Sequence, residues 1–448
     1  MQRRAITAML ACAPGAAFAH ASERAVILTL PTKGFIWGAG LAVALTALLA
    51  SLGGRLPAFT ALRLFCRPAV LPAGLASWLS AALFLALIFA GLLGTHDPYN
   101  NPLPLMIWTV LWVGLTLVQA VFGDLWRSLN PWGGPVRSLR ALLGRTGGIG
   151  LARLGQWPAV LGLLGFAWLE IVSLSPDDPG RLSVIAGAYA LVIFVLAVLE
   201  GEDWLEQGEF LTAFFTLIAR ISPFWSSEEG RRVTHWAGLP GMQVLALPPL
   251  SSSQVAFVTL ALASVSFDGL HESFAWVAAI GLNPLDYPGR SAVMAVNTAG
   301  LLGMWAVMAG LILAASAAIG APVGLFCLSV LPIAAGYHIA HYLTALLTQG
   351  QYAIAALSDP LARGDDLLGL GPHWVSFGFL SQSHAVWRIW MAQFALILGA
   401  HLIAVLLAEQ GLRRAGLRPG LRAQLPMTLL MVLYTCFGLW LLASPAIG

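Results

Sequence analysis

Pro322–Leu347 reads PVGLFCLSVLPIAAGYHIAHYLTALL, without an acid, lysine or arginine. A helix that crosses a bilayer needs about 20 apolar residues, so the stretch reads as a membrane span. Two histidines, His338 and His341, interrupt it. An ionisable residue inside a span costs roughly 2.5–3.5 kcal/mol at the helix centre, which makes it a functional hypothesis by default. Spaced three apart, the pair shares one helical face. Imidazole is the commonest metal-ligating side chain, so the pair suggests a metal site or, less directly, a haem or proton-relay site. The competing reading is two interfacial histidines hydrogen-bonded to neighbouring helices.

Composition extends the reading to the whole chain. Of its 448 residues, 58% are hydrophobic and only 10% charged, and the mean hydropathy is +0.82. A soluble domain carries about 25% charged residues, so the expected fold is an all-α, polytopic transmembrane helical bundle. A net charge of +3 gives no case for nucleic acid. Cys12, Cys66, Cys327 and Cys436 are scattered and offer neither a disulfide framework nor a thiolate cluster. Residues 1–19 resemble a secretory signal peptide: Arg3 and Arg4, a short apolar region, then Ala17-Phe18-Ala19 as an A-x-A cleavage site. Cleavage there leaves residues 20–448 as one membrane domain and makes His20 the first residue, whose free amine and imidazole together can chelate a metal.

Hydropathy places ten spans, near 35–53, 74–94, 104–122, 156–174, 182–199, 252–267, 291–314, 322–347, 389–408 and 426–443. A further apolar piece, 208–221, is too short to span and reads as re-entrant or interfacial. With the mature N-terminus outside, the internal loops hold fifteen basic residues and the external segments six. That asymmetry is the positive-inside pattern and puts both mature termini outside. Under this topology Asp268 and His271 fall at the outer end of span six, and His338 and His341 at the outer end of span eight. His96, His373, His384 and His20 join them on that side, leaving His235 and His401 towards the inside.

The candidate metal ligands are therefore His20, Asp268, His271, His338 and His341. Nitrogen and oxygen donors of this kind suit zinc, copper, iron or nickel, and copper or zinc is the expected cofactor. Asp268 is equally suited to orient an imidazole from behind. Tyr337 and Tyr342 are placed to line the mouth or donate a hydrogen bond, and Glu272 to act as acid or base. Each of these three also fits a plain interfacial role. The glycine cluster Gly148–Gly150 has no lysine or preceding strand and is not a nucleotide loop. G-x-S-x-G and H-E-x-x-H are both missing, so serine-hydrolase and zincin chemistry have no support.

Several short motifs carry a resemblance that covers most of the chain: Ala-His-Ala at 19–21, Asn130-Pro131-Trp132, Phe166-Ala167-Trp168-Leu169-Glu170, Ser266-Phe267-Asp268-Gly269, and the Tyr337–Tyr342 run. Together they look like a bacterial multi-span membrane family often labelled fenitrothion hydrolase-like. The resemblance implies hydrolysis of an aryl phosphotriester or phosphorothioate, and the topology read from the arginines puts the site at the inner membrane, on its periplasmic side. It carries no catalytic assignment, so the site residues rest on the reasoning above. Two classes of function stay open. One is a metal-dependent hydrolase acting on a lipophilic phosphoester drawn from the bilayer, with a copper redox variant. The other is a copper-binding protein of metal transport or metalloenzyme assembly, alone or in a larger membrane complex. The near-bare inner halves of the spans lean against transport.

Overall fold

The computed structural model describes residues 32–52, 61–68, 74–229, 232–371, 373–417 and 421–446. The signal-peptide reading, Cys12 and His20 lie outside them. Twelve helices organise the described chain: α1 (Thr32–Leu52), α2 (Leu75–Leu93), α3 (Pro102–Phe122), α4 (Trp157–Ile171), α5 (Pro179–Glu200), α6 (Phe210–Ala219), α7 (Ser252–His271), α8 (Arg290–Ile319), α9 (Val323–Ser329), α10 (Leu331–Ser358), α11 (Ser383–Arg414) and α12 (Leu421–Ala443). Counting Val323–Ser358 as one piece, nine helices among the described residues are long and apolar enough to cross a membrane. The chain is a multi-pass membrane protein, since helices satisfy their own backbone where lipid cannot.

The nine match nine of the ten expected spans. The remaining stretch, 156–174, forms only the 15-residue α4. At 1.5 Å per residue it covers about 22 Å, less than the ~30 Å hydrocarbon core. α6, in the 208–221 piece, has ten residues and is buried along nearly all of them.

Burial separates the helices into a centre and a rim. In the Val323–Ser358 piece 89% of the apolar window is buried, and in α7 72%, against 22% to 44% in every other long helix. α10 is thus the axis, flanked by α7, α11 and α3. Its approach to α11 is close: a Cβ on Gly336 would stand 2.6 Å from Ala400 Cβ and 3.0 Å from the Leu396 carbonyl. Small residues at such crossings are how helices associate where lipid removes the hydrophobic drive.

Local signals fix several helix starts. Ser251 and Gln254 form a capping box at α7. Asn101 caps α3 through the Leu103 N–H, with Pro102 at the first helical position. From Leu105 to Leu115 α3 winds as a π-helix, a form found mostly at functional sites.

The all-α expectation needs one correction. A three-stranded antiparallel sheet, in the order β1-β3-β2, links the loops after α1 and α6: β1 is Leu62–Pro68, β2 Phe224–Glu229 and β3 Arg232–Ala237. Each strand is six or seven residues long, too short for its alternation to stand out beside 20-residue apolar runs. Gly123, with φ +84°, lets the end of α3 pass over it, because a Cβ there would meet the Phe224 carbonyl at 3.0 Å.

A second correction concerns α10. It runs on to Ser358, well past the expected end at Leu347. His338 and His341 therefore sit near the middle of the Val323–Ser358 piece and not at its outer end. Hydropathy falls after Leu347, but Ala, Leu and Gln keep the segment helical, and polarity alone does not end a helix.

Candidate functional site

The C-terminal turn of α7 faces the middle of α10, and there the polar groups meet. His341 Nε2 donates to Asp268 Oδ2 at 2.8 Å. Tyr342, the next residue, places its hydroxyl 2.8 Å from the same Oδ2 and 3.0 Å from Glu170 Oε1. A carboxylate, a phenol, a second carboxylate and an imidazole thus form one hydrogen-bonded chain: Glu170–Tyr342–Asp268–His341. A phenol has a single proton to donate, yet Tyr342 lies between two carboxylates. Both contacts are hydrogen bonds only when the chain holds one further proton.

The backbone explains how these groups are held. Glu170 is the penultimate residue of α4, whose end is fixed by Arg290. That guanidinium donates to the carbonyls of Glu170 at 2.8 Å, Ser173 at 3.2 Å and Ile171 at 3.3 Å, answering the bare carbonyls of a helix terminus. On α7, His271 Nδ1 donates to the Asp268 carbonyl one turn back at 2.6 Å and lies 3.8 Å from Asp268 Oδ1. Asp268 and His341 keep 13% and 16% of their side chains accessible, so the centre is screened but not sealed.

Gly269 leaves room beside the imidazole. A Cβ there would lie 3.2 Å from the Tyr337 hydroxyl and 3.5 Å from His341 Nδ1. That hydroxyl is buried and has no hydrogen-bond partner among the described residues, and the Tyr337 ring stacks on His341 with centroids 6.1 Å apart. Gly438 accommodates the ring from the other side, where a Cβ would come within 3.1 Å of it. A free imidazole nitrogen and an unpartnered phenol therefore border the same small space.

The two histidines of the Tyr337–Tyr342 run go different ways. His338 is 1% exposed; its Nε2 donates to the Trp112 carbonyl in the π-helical part of α3 at 2.8 Å. Its ring meets the Trp112 indole edge-on. Residues three apart on a helix differ by 60° in direction, enough at a crowded crossing to aim one at α3 and the other at α7. Nδ1 of His338 has no hydrogen-bond partner among the described residues. Glu272 is half-buried at the C-cap of α7, one residue past His271. Among the described residues, no three of His, Cys, Asp and Glu are placed to hold a metal ion together.

Sequence reasoning passed over Glu170. The signal was there: it is the one acid inside the apolar run 156–174, and an acid within a span calls for explanation. The other polar runs have local uses. Glu200 accepts from the backbone N–H groups of Ile149, Gly150 and Ala152, so the glycine cluster wraps a carboxylate of this chain. His235 is in β3, 2.8 Å from Ser226 Oγ, and His401 Nδ1 donates to the Ile397 carbonyl of its own helix. Comparison with family models, curated proteins and solved structures found no match.

Proposed function

We propose that the chain is an inner-membrane hydrolase whose reaction centre is the Asp268–His341 pair, acting from the periplasmic side on a lipophilic phosphoester. The observation that carries this is the orientation of one imidazole. His341 is held through Nε2 by a carboxylate, while Nδ1 borders the gap left by Gly269, beside a phenol with no hydrogen-bond partner among the described residues. A base fixed from behind by a carboxylate is the arrangement general-base catalysis needs. In this reading His341 Nδ1 takes a proton from a water whose oxygen bonds to phosphorus. The phosphorus–oxygen bond to the aryl group breaks, and the leaving aryl oxide takes the proton from the His341 imidazolium. Asp268 stabilises the imidazolium, and Tyr337 donates to an oxygen at the reacting centre. Glu170 and Tyr342 hold the reserve proton next to Asp268. The phosphoester rests on the family resemblance, and the periplasmic side on the arginine distribution.

Hydrolysis of an aryl phosphotriester by the purified, vesicle-reconstituted protein tests the reading. The wild type should release the aryl alcohol, and His341→Asn should not. No release by the wild type, with or without added zinc or copper, would remove the hydrolase reading.

A second reading keeps a transition metal, copper or zinc. It rests on the contact of the Asp268 carboxylate with the His341 imidazole, donor types such ions accept. Its ligands would be Asp268 and His341, joined after a rearrangement by His271 and by His20, since no three such groups among the described residues are placed together. His338 would contribute only by leaving the Trp112 carbonyl. Elemental analysis of the purified protein decides between the readings: a bound metal lost in both Asp268→Asn and His341→Ala supports this one.

A further inference from the structure

A cavity of about 700 Å³, lined by none of Glu170, Tyr342, Asp268 and His341, lies between α2, α3, α4 and α5. Its walls are almost wholly apolar, with Trp108, Trp132 and Trp168 among them. Apolar volume inside a membrane domain needs an apolar occupant, and by itself says nothing about which. Arg181 supplies the missing information. It lies on the first turn of α5 and lines the cavity. Its backbone N–H is used by the Asp178 cap at 2.7 Å, but its guanidinium has no hydrogen bond or ion pair among the described residues. Tyr189, also in the lining, is eight residues further along the same helix. At 1.5 Å per residue the cavity therefore runs at least about 12 Å along α5 from the position of Arg181.

A long apolar slot with one unpaired cation at its end matches an anionic amphiphile. We infer that the cavity binds one anionic phospholipid, an acyl chain in the slot and the phosphodiester on Arg181. The planar guanidinium fork fits two phosphate oxygens at once, which a zwitterionic headgroup offers less favourably because its own cation competes. This site shares no residue with the Asp268–His341 pair, so it stands or falls apart from the hydrolase reading.

Native mass spectrometry of the detergent-purified, full-length protein with dioleoyl phosphatidylglycerol or dioleoyl phosphatidylcholine tests the inference. One phosphatidylglycerol per chain should bind in preference to phosphatidylcholine. Arg181→Gln should weaken phosphatidylglycerol binding roughly tenfold and leave phosphatidylcholine unchanged. Gly165 lines the slot, and a Cβ there meets nothing within 4 Å, so Gly165→Phe should fill the slot and weaken both lipids. A preference that survives Arg181→Gln overturns the headgroup assignment. Unchanged binding by a folded Gly165→Phe overturns the slot. If Gly165→Phe does not fold, the half-exposed Arg181→Gln still decides.

Discussion

Two carboxylates, the buried Glu209 and the half-buried Asp268, each accept a hydrogen bond from a tyrosine, yet they are held in opposite ways. Glu209 precedes α6 and accepts from the Leu211 and Thr212 N–H groups of that helix at 2.8 and 2.6 Å, and from the hydroxyls of Thr212 and Tyr189. Backbone N–H groups supply half of its partners and cannot leave. Asp268 is held by His341 and Tyr342, side chains of another helix, each able to change its proton. A carboxylate clamped by backbone amides is a structural cap. One clamped by titratable side chains, next to a free imidazole nitrogen, is equipped to exchange protons.

The contrast predicts a double dissociation. Asp268→Asn should cut hydrolysis by about 10²–10⁴-fold while the protein stays inserted, as loss of an orienting carboxylate does. Turnover of the reconstituted variant measures this; a near-wild-type rate would put Asp268 on the same structural footing as Glu209. Glu209→Ala should do the reverse, costing roughly 2–4 kcal/mol from two orphaned N–H groups and a lost cap. Reversible denaturation in mixed detergent reads that cost, and the surviving folded fraction should keep its rate per molecule.

Tyr342→Phe removes the bridge and leaves Glu170 and Asp268 facing each other without it. A loss of about 1–2 kcal/mol in stability is expected, together with a displaced pH–rate profile. An unchanged profile would confine the phenol to packing. A smaller effect belongs to the loop after α10. There Asp366 accepts from Ser358 Oγ at 2.9 Å and from the Leu370 N–H at 2.9 Å. These bonds, the Leu370 N–H first, hold its carboxyl below the usual range. A depressed carboxyl contributes order above its ordinary titration range and loses it as pH falls through the lowered value. Hydrogen exchange at Leu370 and Gly371 should therefore stay slow to mildly acid pH and quicken only in stronger acid. Least of all should follow from Glu202→Gln, which breaks the exposed pair with Arg137 at 2.8 Å and should cost under ~1 kcal/mol.

Part of this was legible in the chain and part was not. Glu209 illustrates the difference. It lies at the start of the short apolar piece 208–221, just ahead of α6, and only the fold shows its N–H partners and Tyr189 around it. Glu170 could have been found, as the lone acid of its apolar run, but not its partner. Tyr342 is 172 residues away in the chain, and no local period links them.

By itself the sequence determined the membrane class, nine of the helices and the ionisable residues that need explaining, because apolar length and the cost of an intramembrane charge are local quantities. Only the tertiary structure decided what those residues touch. Within one run of six, it turned His338 to a carbonyl of α3 and His341 to Asp268 of α7. That choice depends on which helices surround α10 and at what angle they cross, a packing outcome set by close approaches such as Gly336 on Ala400.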